Sequence, residues 1–356
     1  MFKGRPNPGR SLLLSFILLC LCFLILLYHH HAAGFDSQAI AIRPAGDTAG
    51  SRGIAEPPAK NPEEHPLHHP PPSVDIVAAS LQTDNTAWFH RHLPLSWRKH
   101  IYTVDDSRAS LTVPKNKGRE AMVYLTHIVN NYDSLAETTI FFHAARFAWH
   151  NDDPDYDAVP TLRRLRLEHV RREGYVNLRC VWVIGCPEEI HPHLDAEEAR
   201  RLDSEAGSTD EEKPPTTTKA IYKTAFQELL QGVPVPDVVA VSCCSQFAVT
   251  REAIRRRPRE DYVRFRDWLL STPLTDDLSG RVMEFAWHII FGKESVHCPS
   301  TKDCYCNLWG LCGDDMTCTD GACEGRYTLP GLANLPDHWP LLGWAGENRN
   351  FTGPLD

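Results

Sequence analysis

Lys3, Arg5 and Arg10 precede an uncharged apolar run of seventeen residues from Leu12 to Tyr28, and no lysine or arginine follows until Arg43. A run of that length sits near the lower limit for spanning a bilayer and exceeds the apolar core of most cleavable signal peptides. The charge asymmetry holds the short N-terminus in the cytosol and sends the rest of the chain across. The expectation is a type II signal anchor over residues 11–28 in contact with the lipid bilayer, behind a cytosolic tail over residues 1–10. The competing expectation is a signal peptide cut near Ala32, Ala33 or Gly34. Either places the working part in the ER or Golgi lumen, or alternatively at the cell surface or outside the cell.

The cysteines agree with that compartment. Of the 12, Cys20 and Cys22 fall in the apolar run, and the remaining even number, from Cys180 to Cys323, points to disulfides in an oxidising lumen before metal sites. Six lie within Cys298–Cys323, and the expectation for them is local bridges, for which fifteen pairings exist. Their spacing lacks the paired two-residue gaps of zinc ribbons. A sequon at Asn350-Phe351-Thr352 fits the same compartment. A net charge of -9 argues against a nucleic-acid partner.

Residues 29–73, rich in Pro, Ala, Gly and His, cannot bury a core and are expected to form an extended stem. His65, His68 and His69 lie there without anything to fix a coordination geometry, and they are assigned no role. From residue 74 to 297, short β-branched runs alternate with helical patterns, which predicts an α/β domain with a mixed, mainly parallel sheet flanked by helices. Strands are expected at Val74–Ala79, His100–Val104, Thr138–His143, Val176–Ile184 and Asp237–Ser242. Helices are expected from about Gly118, from Pro160 to about Arg172, and at Thr224–Leu230, Gln246–Arg256, Arg259–Leu270 and Asp276–Phe291, with Gly292 as a stop. Residues 195–219 are expected to be an exposed, mobile insertion. Residues 298–325 form a disulfide-rich extension and 326–356 an irregular tail.

Thr138–His143 leads directly into a loop carrying Asp152, Asp153, Asp155 and Asp157. Ligand sites of open α/β sheets gather at the carboxyl ends of strands, so Asp153, Asp155 and Asp157 are candidate ligands for Mn²⁺ or Mg²⁺ holding the diphosphate of a nucleotide sugar. The competing reading is that these acids merely favour the positive end of the helix near Pro160. Asp105 and Asp106, ending a strand, could take the ribose or base of the donor, or form a surface turn. His143, Arg146 and His150 flank the acid loop as further donor contacts. The segment Asp276–Phe291 is apolar except for Arg281, Glu284 and His288, whose spacings of three and four put them on one helical face. Glu284 is therefore a candidate general base for an acceptor hydroxyl, with His288 or Arg281 tuning it.

Several phrases occur together: Gly118-Arg119-Glu120-Ala121, Asn131-Tyr132-Asp133-Ser134-Leu135, Trp149-His150-Asn151-Asp152, Tyr175-Val176-Asn177-Leu178-Arg179-Cys180, Ser245-Gln246-Phe247-Ala248-Val249 and Trp287-His288-Ile289-Ile290-Phe291-Gly292. In these the chain resembles, over about Val74 to Gly313, a domain-of-unknown-function family of fungal and plant proteins, often behind an N-terminal anchor. The pattern is also similar to glycosyltransferases of the GT-A type. That resemblance implies a nucleotide-sugar donor at Asp153–Asp157, a glycan or protein acceptor, and Glu284 as base; Ala144-Ala145 departs from the His or Gly expected beside the strand end. The alternative is a non-catalytic lectin-like, scaffold or cell-wall-binding protein.

Overall fold

The computed structural model describes residues 73–205, 217–313, 318–319, 322–323 and 334–355. The expected anchor and the stem up to residue 72 lie outside these residues, as does 206–216 of the expected insertion; no helix among the described residues is long and apolar enough to cross a membrane.

The domain opens with β1 (Val74–Ser80), α1 (Ala87–His92), β2 (Arg98–Thr103), α2 (Ala121–Asn131) and β3 (Thr138–His143). It continues through α3 (Ala158–Arg164), α4 (Leu167–Glu173), β4 (Tyr175–Asn177), α5 (Pro192–Glu205), α6 (Thr218–Leu229), β5 (Ala240–Val241) and β6 (Phe247–Thr250). It closes with α7 (Arg251–Ile254), α8 (Arg259–Ser271), α9 (Asp276–Glu284), α10 (Trp287–Ile290), β7 (Val296–His297), α11 (Thr301–Trp309) and the short pair β8 (Cys318–Thr319) and β9 (Ala322–Cys323).

The central sheet has five strands in the order β2-β1-β3-β6-β4. β2, β1 and β3 pair in parallel, and β6 runs antiparallel to both β3 and β4, so β6 alone is reversed. Successive side chains along β1 enter opposite layers: Val74, Ile76 and Ala78 pack with α1, α3 and α11, while Val77 packs with α2, α8 and α9. On the second face Tyr124, Phe141, Phe247 and Trp287 form an aromatic cluster with ring centroids 4.6–6.1 Å apart. Burial of each such ring contributes about 2–3 kcal/mol.

Several sequence expectations need correction. Gln246–Arg256 is not one helix: Phe247–Thr250 is a fully buried strand, and the helix starts only at Arg251, capped by the Thr250 hydroxyl. A strand buried on both faces reads as a continuous apolar run, which periodicity alone does not separate from a helix. The strand expected over Val176–Ile184 ends at Asn177, and Val183 and Ile184 are surface residues. Pro160 is the third residue of α3 rather than its first, and the chain breaks at Leu165–Arg166 before α4. The first part of the expected insertion is the helix α5. The cysteines do not bridge only locally: Cys180–Cys304 and Cys186–Cys298 link segments 124 and 112 residues apart, beside the adjacent pair Cys243–Cys244 and the local Cys306–Cys312. The start of the cysteine-rich segment is thereby tied into the α/β domain.

Candidate functional site

Chain direction locates the site. β1 connects to β2 on one side and, through the later crossover, β3 takes the other side, so a crevice opens between the carboxyl ends of β1 and β3. A cleft of about 1040 Å³ lies there. Ala79 and His143, register partners across these two strands, both line it.

The opposite wall comes from α9 and from the turn before α2. Gly280 lets them meet: a Cβ there would lie 2.8 Å from Arg119 Cγ and 3.2 Å from the Gly118 carbonyl oxygen. Gly118 itself has φ +68°, and a Cβ on it would lie 2.7 Å from Leu269 Cδ2. Arg119 follows at φ 56°, and Cys244 and Ser245, on the other side of the cleft, have φ values of 97° and 50°. Non-glycine residues in this region are costly and concentrate where function fixes the backbone.

Glu284, the last residue of α9, projects into the cleft with its side chain 11% exposed. One carboxylate oxygen accepts the Cys244 backbone N–H at 2.5 Å, and the other accepts from Arg281 Nη1 at 3.1 Å. Burial raises its pKa above the ordinary carboxylate range, while Arg281 and the Cys244 N–H pull against that shift. Arg119 reaches the same cleft, bonded to Asp277, and Glu120 stands 4.0 Å from His143 Nε2. His143 and His150 meet edge to face at 4.6 Å, and Trp149 stacks on His150 at 4.1 Å. Burial lowers the pKa of both histidines, so they enter the site as neutral rings. Gln246 braces this corner, accepting the His143 backbone N–H and donating to the His150 carbonyl and Asn151 Oδ1, each at 3.3 Å. Behind it, buried Arg179 donates to both sulfurs of the Cys243–Cys244 pair at 2.8 and 2.9 Å, which fixes the turn that presents the Cys244 N–H.

The sequence candidates divide. Glu284, Arg281, His143 and His150 come together in the cleft. His288 does not join them, because the helix expected to be continuous breaks after Glu284: Phe285 closes α9, and His288 belongs to α10. His288 is buried away from the cleft, with Nε2 donating to the Ser295 carbonyl at 3.0 Å. Asp105 and Asp106 serve turns: Asp105 Oδ1 accepts the Gln82 N–H at 3.0 Å, and Asp106 Oδ1 accepts the Arg108 N–H at 2.9 Å.

The acid loop also turns away from Glu284. Asp157 caps α3 by accepting the Val159 N–H at 2.9 Å and binds buried Arg146 through both oxygens at 3.0 and 2.8 Å. Arg146 gives a further bond to the Pro354 carbonyl, so it braces this loop and does not line the cleft. Asp155 pairs with Arg349 at 2.7 Å, and Asp153 Oδ1 accepts the N–H groups of Asp155 and Asp157. These acids border a separate cavity of about 460 Å³ with residues 351–354 of the tail. Both oxygens of Asp157 are held by a buried guanidinium that cannot leave for solvent, and Asp153 and Asp155 each commit an oxygen to loop N–H groups or to Arg349, so the loop does not fit a divalent-cation site as it stands; the helix-end role of Asp157 is observed directly.

Arg119, Asp84, Asp276 and the Cys244 N–H are cleft components that the sequence reading missed. For Arg119 a signal existed, since the Gly118-Arg119 turn precedes a strongly apolar helix; for a backbone N–H no residue-type signal exists. Neither a curated protein nor a solved structure matches this chain. Residues 76–307 match the family model described as Protein of unknown function (DUF3431). That match runs from the third residue of β1 to most of α11 and contains the whole wall of the cleft, so the chain belongs to the DUF3431 family.

Proposed function

We propose that the chain is a type II membrane protein of the secretory pathway carrying a glycosyltransferase-like domain, which moves a sugar from a nucleotide-sugar donor to a glycan or protein acceptor. The observation that carries this reading is Glu284: a desolvated carboxylate, oriented by a backbone N–H and Arg281, in a large cleft at the switch point of an α/β sheet. A raised pKa brings a carboxylate closer to working pH, where general-base transfer is most effective. In the reaction, Glu284 takes the acceptor hydroxyl proton, the acceptor oxygen bonds to the anomeric carbon, and the bond from that carbon to the diphosphate oxygen breaks. Arg119 and Arg281 supply positive charge for the departing nucleoside diphosphate. Trp149 and the neutral His143 and His150 offer stacking and hydrogen-bonding surfaces for the sugar or base. Because the Asp153–Asp157 loop does not fit a cation, no step of this mechanism runs through a metal.

Calorimetric titration of the purified protein with UDP and GDP tests the reading. Binding is expected for one of them, weakened at least about tenfold in Arg281→Ala, where one charge-assisted contact is lost, and unchanged in Asp155→Ala. Absence of binding to either nucleotide by folded protein favours the non-catalytic lectin-like or scaffold reading. The tail offers little to a separable wall-binding module, because Cys298 and Cys304 are bridged to the domain.

A further inference from the structure

A second cluster of chemistry-bearing side chains lies at the other end of the strands. Asp75, His100 and His127 each offer a ligand atom, all within 4.8 Å of one another. Asp75 is the second residue of β1, His100 is on β2 and His127 is on α2. None of them lines the cleft, which begins at Ala79, about 13 Å further along β1 at 3.3 Å per residue.

We propose that Asp75, His100 and His127 form a binding site for a divalent cation of borderline softness such as Zn²⁺, joining β1, β2 and α2. Four-coordinate ligands at 2.0–2.1 Å from such an ion stand about 3.3 Å apart. His100 Nε2 is already 3.4 Å from Asp75 Oδ1, and His127 Nε2 is 3.9 Å from Asp75 Oδ2. The two contacts to Asp75 exceed that spacing by about 0.1 and 0.6 Å.

A second observation points the same way. His127 is fully buried, and among the described residues its Nε2 makes no hydrogen bond. An imidazole nitrogen left so in a core forfeits the bond it makes to water in the unfolded chain, a loss that a metal bond removes. The opposite nitrogen of His127 is held, with Nδ1 lying 3.3 Å from the Tyr102 hydroxyl, which can accept an Nδ1–H. A ring braced at one nitrogen and open at the other is the arrangement that orients metal-ligating histidines. Two imidazoles and one carboxylate leave one tetrahedral position for water, as in three-ligand zinc sites.

Arg98 is the competitor. It binds both oxygens of Asp75, at 2.6 and 3.0 Å, and neutralises it. Its side chain is 54% exposed, so it can leave for solvent when a cation takes its place. The site therefore exchanges one countercharge for another.

Cobalt absorption tests the proposal on the full-length protein, because Co²⁺ in tetrahedral sites absorbs far more strongly in the visible than octahedral Co²⁺. The wild type is expected to develop the tetrahedral band with one equivalent of Co²⁺ and to lose it on adding Zn²⁺. The stem histidines remain in every variant, so a band due to them persists throughout. His100→Ala, and independently His127→Gln if the first fails to fold by circular dichroism, should abolish the band. Arg98→Ala should tighten Co²⁺ binding at least about tenfold, as removal of a nearby like charge requires. Absence of the band in the wild type, or its persistence in the folded His100→Ala and His127→Gln proteins, overturns the proposal.

Discussion

Glu284 is held ionisable by opposing forces: desolvation raises its pKa, while Arg281 and the Cys244 N–H lower it. In the proposed mechanism it works only when deprotonated, so turnover should rise with pH through that raised value and then level. Replacing it with glutamine should lower kcat by about 10²–10⁴-fold, the range for loss of a general base, with nucleotide affinity retained; steady-state kinetics over pH 5–8 reads both effects. The stability linkage runs the other way. A carboxyl with a raised folded-state pKa binds its proton more tightly than the unfolded chain does, so between the two values stability falls as pH rises. Urea unfolding of E284Q should lack that part of the slope. Asp157 presents the contrasting case of a buried acid whose work is structural. Asp157→Ala removes the countercharge and two hydrogen bonds of the buried Arg146 guanidinium together with the α3 cap, and a loss of about 3–5 kcal/mol is expected in denaturant unfolding.

At the scale of elements, the cleft exists because α9 can press against the Gly118-Arg119 turn. Gly280→Ala puts a methyl 2.8 Å from Arg119 Cγ, which should cost about 1–3 kcal/mol as overpacking and weaken nucleotide binding by displacing Arg119. Thermal unfolding and calorimetry on the one variant separate the two effects. The α/β alternation, β1, β3 and α8 were legible in the sequence, because long apolar runs and strong helical periodicity dominate those segments. β3 falls at Thr138–His143 as read from its Thr-Thr-Ile-Phe-Phe-His pattern. The grouping of Arg281 and Glu284 was legible too, since a spacing of three within one helix survives any later break. His288 was misread because that break depends on the backbone at Phe285 and Ala286, where nothing in the residue types is a helix breaker. For the acid loop the helix-end reading is met by Asp157, and the cation reading lacked support for a different reason. The loop's position after a strand end was correct, but the partners that occupy it, Arg146 and Arg349, lie 11 and 194 residues away from their acids. Local spacing carries no record of such partners.

At the scale of the whole molecule, two long-range disulfides bind the start of the cysteine-rich segment to the loop after β4, and buried Asp152 reinforces the join by accepting the Tyr305 hydroxyl and the Cys180 N–H. Removing one such bridge with Cys180→Ser and Cys304→Ser together should cost about 2–5 kcal/mol in denaturant unfolding. Arg179 lies on the same segment and holds the Cys243–Cys244 turn, so the segment also supports the turn that presents the Cys244 N–H to Glu284. The central claim is that the donor binds between β1, β3 and α9 and not at the acid loop. Hydrogen–deuterium exchange of the protein with and without saturating UDP or GDP tests it directly. Protection is expected at residues 79–81, 118–121, 143–150 and 280–284. Protection confined to residues 153–164 and 351–354, or none anywhere in a folded protein, would contradict it.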